Sequence, residues 1–254
     1  MKILLKPLQW IYCIYAAITF IAIMLLIFPF ALIAVFFGRI KGGNIMIRLC
    51  MIWADIWFLL IFIWHKKIYE APHDKKRSYI FLSNHISYLD AAIIVKAYRQ
   101  PIRPLGKVEM SKVPVFGFIY RHAIVTVDRS SAPNRARSVM ILKSIINKGI
   151  SVMVFPEGTF NMGTTPLKEF YDGAFRVAIE TQTPIKPVLF LDAYRRMSYQ
   201  SFFSMTPGRS RILYLAEISV AGYTLKDIEK LRNEVYAIME KKLIEYDAGW
   251  RKPL

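Results

Sequence analysis

The chain has 254 residues, enough to bury a core and to build one catalytic domain with an attachment. At 55% hydrophobic, with mean hydropathy +0.32 and formal charge +17, it fits neither a simple water-soluble globule nor a disordered tail. An excess of 35 Lys and Arg over 18 Asp and Glu suits nucleic acid, an anionic membrane surface, or an acidic small molecule or carrier protein.

Residues 1–70 hold seven basic and two acidic groups and are otherwise almost continuous hydrocarbon. LQWIYCIYAAITFIAIMLLIFPFALIAVFF (8–37) carries no charge and exceeds the roughly 20 residues a bilayer span needs. Pro29 offers a place to kink or end that helix. The run is too long for a signal-peptide core, and no small-residue cleavage site stands out. A second run, 49–64, contains Asp55, is rich in Trp (Trp53, Trp57, Trp64) and closes on Lys66 and Lys67. It predicts a second helix, lying in one leaflet or packed back on the first. Basic residues flank the long run at both ends, so a re-entrant hairpin and a true span both stay open. Cys13 and Cys50 lie inside these runs and form no disulfide framework. His65, His73, His85 and His122 are too scattered for a metal site.

After Tyr69 the texture changes. APHDKKRS reads as a linker, YIFLS (79–83) as a strand and 88–98 as a helix. A short strand is expected at 102–105, then one or two amphipathic helices broken near Pro114 and Gly117, and a strand at 123–127. A helix over 132–148 stops at Gly149, and ISVMVF (150–155) is the clearest buried strand. A long loop from Pro156 precedes a helix at 174–181, a strand at 185–189 and another within RILYLAEISV (211–220). The last helix, 224–247, opens on a Thr224–Asp227 capping box. Strands alternating with helices predict an α/β fold, a mixed sheet flanked by helices and preceded by a two-helix membrane anchor. The expected division is an anchor over 1–70 and a catalytic domain over 71–254.

The chemistry concentrates in SNHISYLD (83–90). A strand running into His85 sets the imidazole at the end of a sheet, where α/β sites commonly lie. Histidine suits proton removal from an alcohol near neutral pH, and a carboxylate on its other nitrogen would fix the tautomer. Asp90 can supply that carboxylate if a turn folds it back, although Ser87-x-x-Asp90 also reads as a helix-capping box. VFPEGTF (154–160) follows the buried strand directly; Pro156 ends it, Gly158 permits close backbone approach, and Glu157 and Thr159 offer polar groups at the same edge.

SNHISYLD followed some 70 residues later by FPEGT resembles the glycerolipid acyltransferase family, the lysophosphatidate acyltransferases and their relatives. LGKVEMSKVPVFG (105–117), VTVDR (125–129) and PIKPV (184–188) resemble further blocks of that family in the same order, over roughly residues 78–190. The resemblance implies that His85 is the general base and that Asp90 orients it. It implies direct transfer of a fatty acyl chain from acyl-CoA or acyl-carrier protein to a lysolipid hydroxyl, with no metal, cofactor or acyl-enzyme. Asn84, Glu157, Gly158 and Thr159 would hold the acceptor, with Arg129 and Lys107 on its phosphate, since a guanidinium matches phosphate in a bidentate fork. Membrane lipid is the expected partner, at the cytoplasmic membrane with the active site facing the cytosol; no nucleic acid is expected, since no module for it is recognisable and the chain carries an apolar anchor. Two departures bear on the acceptor. Relatives usually have Arg where this chain has Phe160, and often a lysine in the stretch held here by Tyr171 and Asp172; Lys168 is the nearby replacement. A less anionic acceptor, such as a lysophosphodiester or an N-acyl amino-acid lipid, is therefore a rival reading. A catalytically silent lipid-binding protein is another.

Overall fold

A computed structural model describes residues 2–127 and 132–250. Its centre is a seven-stranded sheet in the order β1-β7-β6-β2-β5-β3-β4. The strands are β1 (Ile63–Tyr69), β2 (Ile80–Leu82), β3 (Ile102–Lys107), β4 (Val125–Val127), β5 (Ser151–Val154), β6 (Ile185–Phe190) and β7 (Gly208–Tyr214). From β6 to β4 all neighbours run parallel, whereas β7 is antiparallel to β6 and β1 is parallel to β7. The starts of β1 and β7 therefore lie at the same edge as the ends of β2 and β5.

Side chains alternate across a strand, so each central strand feeds two cores. Ile80 and Leu82 join Val152, Val154, Ile185 and Leu189 on one face. That face is covered by α5 (Ala132–Ile146), α6 (Gly173–Thr181) and α8 (Ile228–Glu245). Phe81 points the other way with Met153, Val188, Phe190 and Tyr214. Over them lie α1 (Lys2–Val35), α2 (Gly43–Leu60), α3 (Asp90–Ala97) and α4 (Phe116–Ala123). The short α7 (Ala193–Arg196) links β6 to β7.

The two apolar runs form a helical hairpin. Residues 6–35 and 38–60 are each long and apolar enough to cross a bilayer. Helix α1 continues through Pro29 to Val35, so the proline does not end it. Trp57 Nε1 donates to the Ala16 carbonyl at 2.9 Å, and Trp53 Nε1 to that of Phe20 at 3.2 Å. The Tyr12 hydroxyl donates to the Ile61 carbonyl at 2.6 Å. On the domain side, Asp55 of α2 accepts from Lys96 at 2.5 Å and from Arg99. Buried Arg103 of β3 donates to the Ile40 carbonyl in the hairpin turn at 3.1 Å. On α1, Leu8, Ile11, Ile18, Leu26 and Phe30 stay exposed.

The expected helix over 49–64 ends at Leu60. The chain reverses at Phe62, whose φ is 54°, and residues 63–69 form β1 along the whole length of β7. The division expected between residues 70 and 71 thus falls after a strand of the sheet. The helix stop at Gly149 (φ 73°) and the Thr224–Asp227 capping box both form.

Candidate active site

Strands β2 and β5 are parallel neighbours, with Leu82 opposite Val154, so the segments that follow them leave the sheet side by side. The Ser83 N–H still donates to the Val154 carbonyl at 3.3 Å. Beyond it the chain turns through SNHISYL into α3, bringing Asp90 back beneath His85. His85 Nδ1 lies 2.9 Å from Asp90 Oδ2. The same oxygen accepts the backbone N–H groups of Ile86 at 2.7 Å and Ser87 at 2.9 Å. Asp90 therefore serves both sequence readings at once, holding the turn as a capping carboxylate and gripping the imidazole. It is fully buried at the start of α3, where the helix dipole favours negative charge. An acceptor on Nδ1 places the ring proton there and leaves Nε2 as the free lone pair.

The imidazole is half enclosed by aromatic rings. Phe155 stacks on its face with centroids 3.9 Å apart and planes 8° apart. Phe160 meets it edge-on at 4.4 Å. Phe160 thus fills the flank of the base with hydrocarbon.

Glu157 and Asn84, both expected to touch acceptor, are directed inward instead. Glu157 is fully buried; its Oε1 accepts the His85 N–H and its Oε2 the Lys168 N–H, each at 2.8 Å. Burial pushes its carboxyl up to about 8 from the ordinary 4.5, against the opposing pull of those two N–H bonds. Asn84 Oδ1 accepts the Phe190 N–H at 2.8 Å, and its Nδ2 donates to the Phe190 carbonyl at 3.2 Å. The Asn161 N–H donates to the His85 carbonyl at 2.7 Å, so the loop after β5 and the loop after β2 hold each other. No spacing signal distinguishes a carboxylate that holds backbone from one that faces substrate.

Gly158 sits at φ 73°, a left-handed turn that lets its N–H reach the Phe155 carbonyl at 3.0 Å. Gly158→Ala is expected to cost about 1–2 kcal/mol, the penalty of a side chain in that region, read as a lower Tm. The Thr159 hydroxyl accepts from Lys168 Nζ at 3.1 Å. A cavity of about 480 Å³ opens alongside, lined among others by Phe160, Asn161, Lys168, Glu169 and Tyr236. Lys107 stands exposed at the end of β3, at the same sheet edge. Asp172 pairs with Arg232 of α8 at 2.7 Å. Arg129 lies outside the described residues.

Comparison with known proteins gives a family and several relatives. A family model described as "Acyltransferase" matches residues 65–191, half of the chain, starting inside β1. Mouse 1-acyl-sn-glycerol-3-phosphate acyltransferase alpha is 31% identical over 166 residues, 62% of this chain and 55% of that protein. This chain thus spans about half the length of the mouse protein. The Haemophilus influenzae 1-acyl-sn-glycerol-3-phosphate acyltransferase is 27% identical over 183 residues, 70% of this chain and 75% of that one. The crystal structure of the 1-acyl-sn-glycerophosphate acyltransferase of Thermotoga maritima superposes with a TM-score of 0.73 at 21% identity. It covers 99% of this chain and 100% of its own, so the fold likeness includes the hairpin. With the family match running from β1 through β6 and taking in both loops that build the site, the chain belongs to the acyltransferase family of enzymes.

Proposed function

We propose that the protein is a membrane-associated O-acyltransferase. It moves a fatty acyl chain from an acyl-CoA or acyl-carrier-protein thioester to the sn-2 hydroxyl of 1-acylglycerol-3-phosphate. The observation that carries the reading is the His85–Asp90 pair, which leaves Nε2 as a free base at an exposed sheet edge. Nε2 takes the hydroxyl proton as the oxygen attacks the thioester carbonyl, and Asp90 stabilises the imidazolium that forms. When the tetrahedral adduct collapses, the new C–O bond stays, the C–S bond breaks, and the imidazolium returns its proton to the leaving thiolate. Neither metal nor cofactor takes part in this scheme.

Glu157 and Asn84 position the two loops rather than bind acceptor, and Lys168, Lys107 and Arg129 are the cations proposed for its phosphate. The apolar hairpin supports attachment to a membrane, with the active site on the cytosolic side of the cytoplasmic membrane, where thioester donors are made. Basic charge suits anionic lipid, the CoA phosphates and an acidic carrier protein alike. Residues 1–70 are the proposed anchor and 71–254 the catalytic part, with β1 at the end of the first paired to β7 of the second.

Phe160 favours a second reading, an acceptor with less negative charge. Purified protein in detergent with a labelled acyl thioester separates the two. Lysophosphatidate, a lysophosphodiester and an N-acyl amino acid serve as acceptors, with His85→Ala as control. His85-dependent acylation of lysophosphatidate is the expected result. Transfer to the other acceptors alone would move the assignment to them, and no transfer to any would leave a lipid-binding protein.

A further inference from the structure

Between α7 and β7 the chain crosses the catalytic edge with two large side chains facing outward. Phe202 and Phe203 are 62% and 49% exposed. They occupy a turn made rigid by serines. Ser204 Oγ accepts the Ser198 N–H at 2.9 Å and donates to the Ser201 carbonyl at 2.6 Å, while Ser201 Oγ accepts the Phe203 N–H at 3.1 Å. The two rings lead in opposite directions. Phe202 stacks on Tyr88 at 4.3 Å, Tyr88 meets Phe160 edge-on at 5.0 Å, and Phe160 meets His85 at 4.4 Å. Phe203 lies 5.8 Å from Trp10 of α1, itself 57% exposed. The Met205 carbonyl accepts from Gln9 Nε2 at 3.4 Å, tying the turn to the same helix. Hydrocarbon therefore runs from the bare face of α1 around Leu8 and Ile11, across Trp10, Phe203 and Phe202, to the ring beside the base.

We propose that this row is an aromatic lip set in the bilayer surface, over which the hydrocarbon chain of a lysolipid acceptor passes to reach His85. The proposal rests on the acyl-transfer reading above. Its occupant follows from continuity: the row joins the apolar face of the anchor at one end and the catalytic base at the other. Tryptophan and tyrosine side chains, here Trp10 and Tyr88, favour the level of lipid headgroups. A phenylalanine ring gains by leaving water for hydrocarbon, and these two obtain that gain from acyl chain. A polar lysolipid headgroup then meets the cavity beside Lys168 while its chain stays in contact with the lip.

Two measurements on the full chain test this. In the first, Phe202→Cys carries an environment-sensitive fluorophore in vesicles of phosphatidylcholine and phosphatidylglycerol, with a label at Lys75→Cys in the polar linker as reference. Quenching of the label at 202 by brominated acyl chains, and of the reference by aqueous iodide, is expected. Iodide quenching of both would overturn the lip. In the second, the Phe202→Ser/Phe203→Ser variant is assayed on long-chain lysophosphatidate in vesicles and on a short-chain, monomeric one. The ratio of kcat/KM, vesicle-borne to monomeric, is expected to fall at least tenfold from wild type, and an unchanged ratio would overturn the lip. A wild-type protein inactive on both acceptors, with the label at 202 still in the bilayer, would refute lysophosphatidate as the acceptor and leave the lip in place.

Discussion

Asp90→Asn is expected to lower kcat by about 10–100-fold while leaving the protein folded, the worth of a hydrogen bond to a charged group. The asparagine is isosteric and its carbonyl can still accept the Ile86 and Ser87 N–H groups that hold the turn. That oxygen position also faces His85 Nδ1, so the ring keeps its proton there, but the full negative charge that would stabilise the imidazolium is lost. His85→Ala removes the base itself, with an expected loss of about 10²–10⁴-fold. Single-turnover transfer from a labelled thioester checks both, with near-ultraviolet circular dichroism confirming the fold. Residual activity in Asp90→Asn near the wild-type rate would mean that the Asp90 charge plays no part in stabilising the imidazolium.

Glu157 carries the second large effect. Glu157→Ala leaves the His85 and Lys168 N–H groups without their acceptor, at about 1–3 kcal/mol for each buried donor, and frees the backbone beneath the base. A lower Tm and a fall in kcat of at least tenfold are expected together, with KM changing less. Glu157→Gln removes the charge and one of the two N–H acceptors, so the pH dependence of its stability relative to wild type, not the absolute value, reports the charge. The folded protein holds the Glu157 proton up to about pH 8, whereas the unfolded chain releases it near 4.5. The stabilisation this gives is complete below about 4.5 and is lost as pH rises through about 8. Wild-type stability, measured against Glu157→Gln by urea unfolding in detergent, should therefore decline between pH 5 and pH 8. A pH-independent difference would show that the carboxylate is already ionised across that range.

The central strands, the long apolar helix and the His85–Asp90 pair were legible because each rests on local signals. Ile80–Leu82 and Ser151–Val154 are short apolar runs between turn residues, and SNHISYLD and FPEGT sit at their ends. Strand β1 was hidden for a physical reason. IWHKKIY lies at the rim of the sheet with mixed exposure, so its lysines mimic the polar close of a helix. The inward turn of Glu157 and Asn84 was equally invisible, because backbone groups distant in sequence decide it, the His85 N–H 72 residues from Glu157 and Phe190 at the end of β6 106 residues from Asn84. Phe160 showed as a departure from relatives, but only the structure shows that its ring lies against the imidazole. The turn at 202–204 carries no motif, and its importance comes from what lies on either side of it.

One buried layer serves both the hairpin and the sheet. Trp57, Phe58 and Ile61 share a single apolar cluster with Phe81, Phe190 and Tyr214, and Arg103 fastens the hairpin turn to β3. There is consequently no seam along which attachment and enzyme come apart. A cut between residues 70 and 71 would strip β1 from β7, turn an interior strand into a bare rim, and open the hairpin-facing core to water. The segment that supports residence at a membrane is also a structural wall of the catalyst, and selection on either property acts on the same side chains.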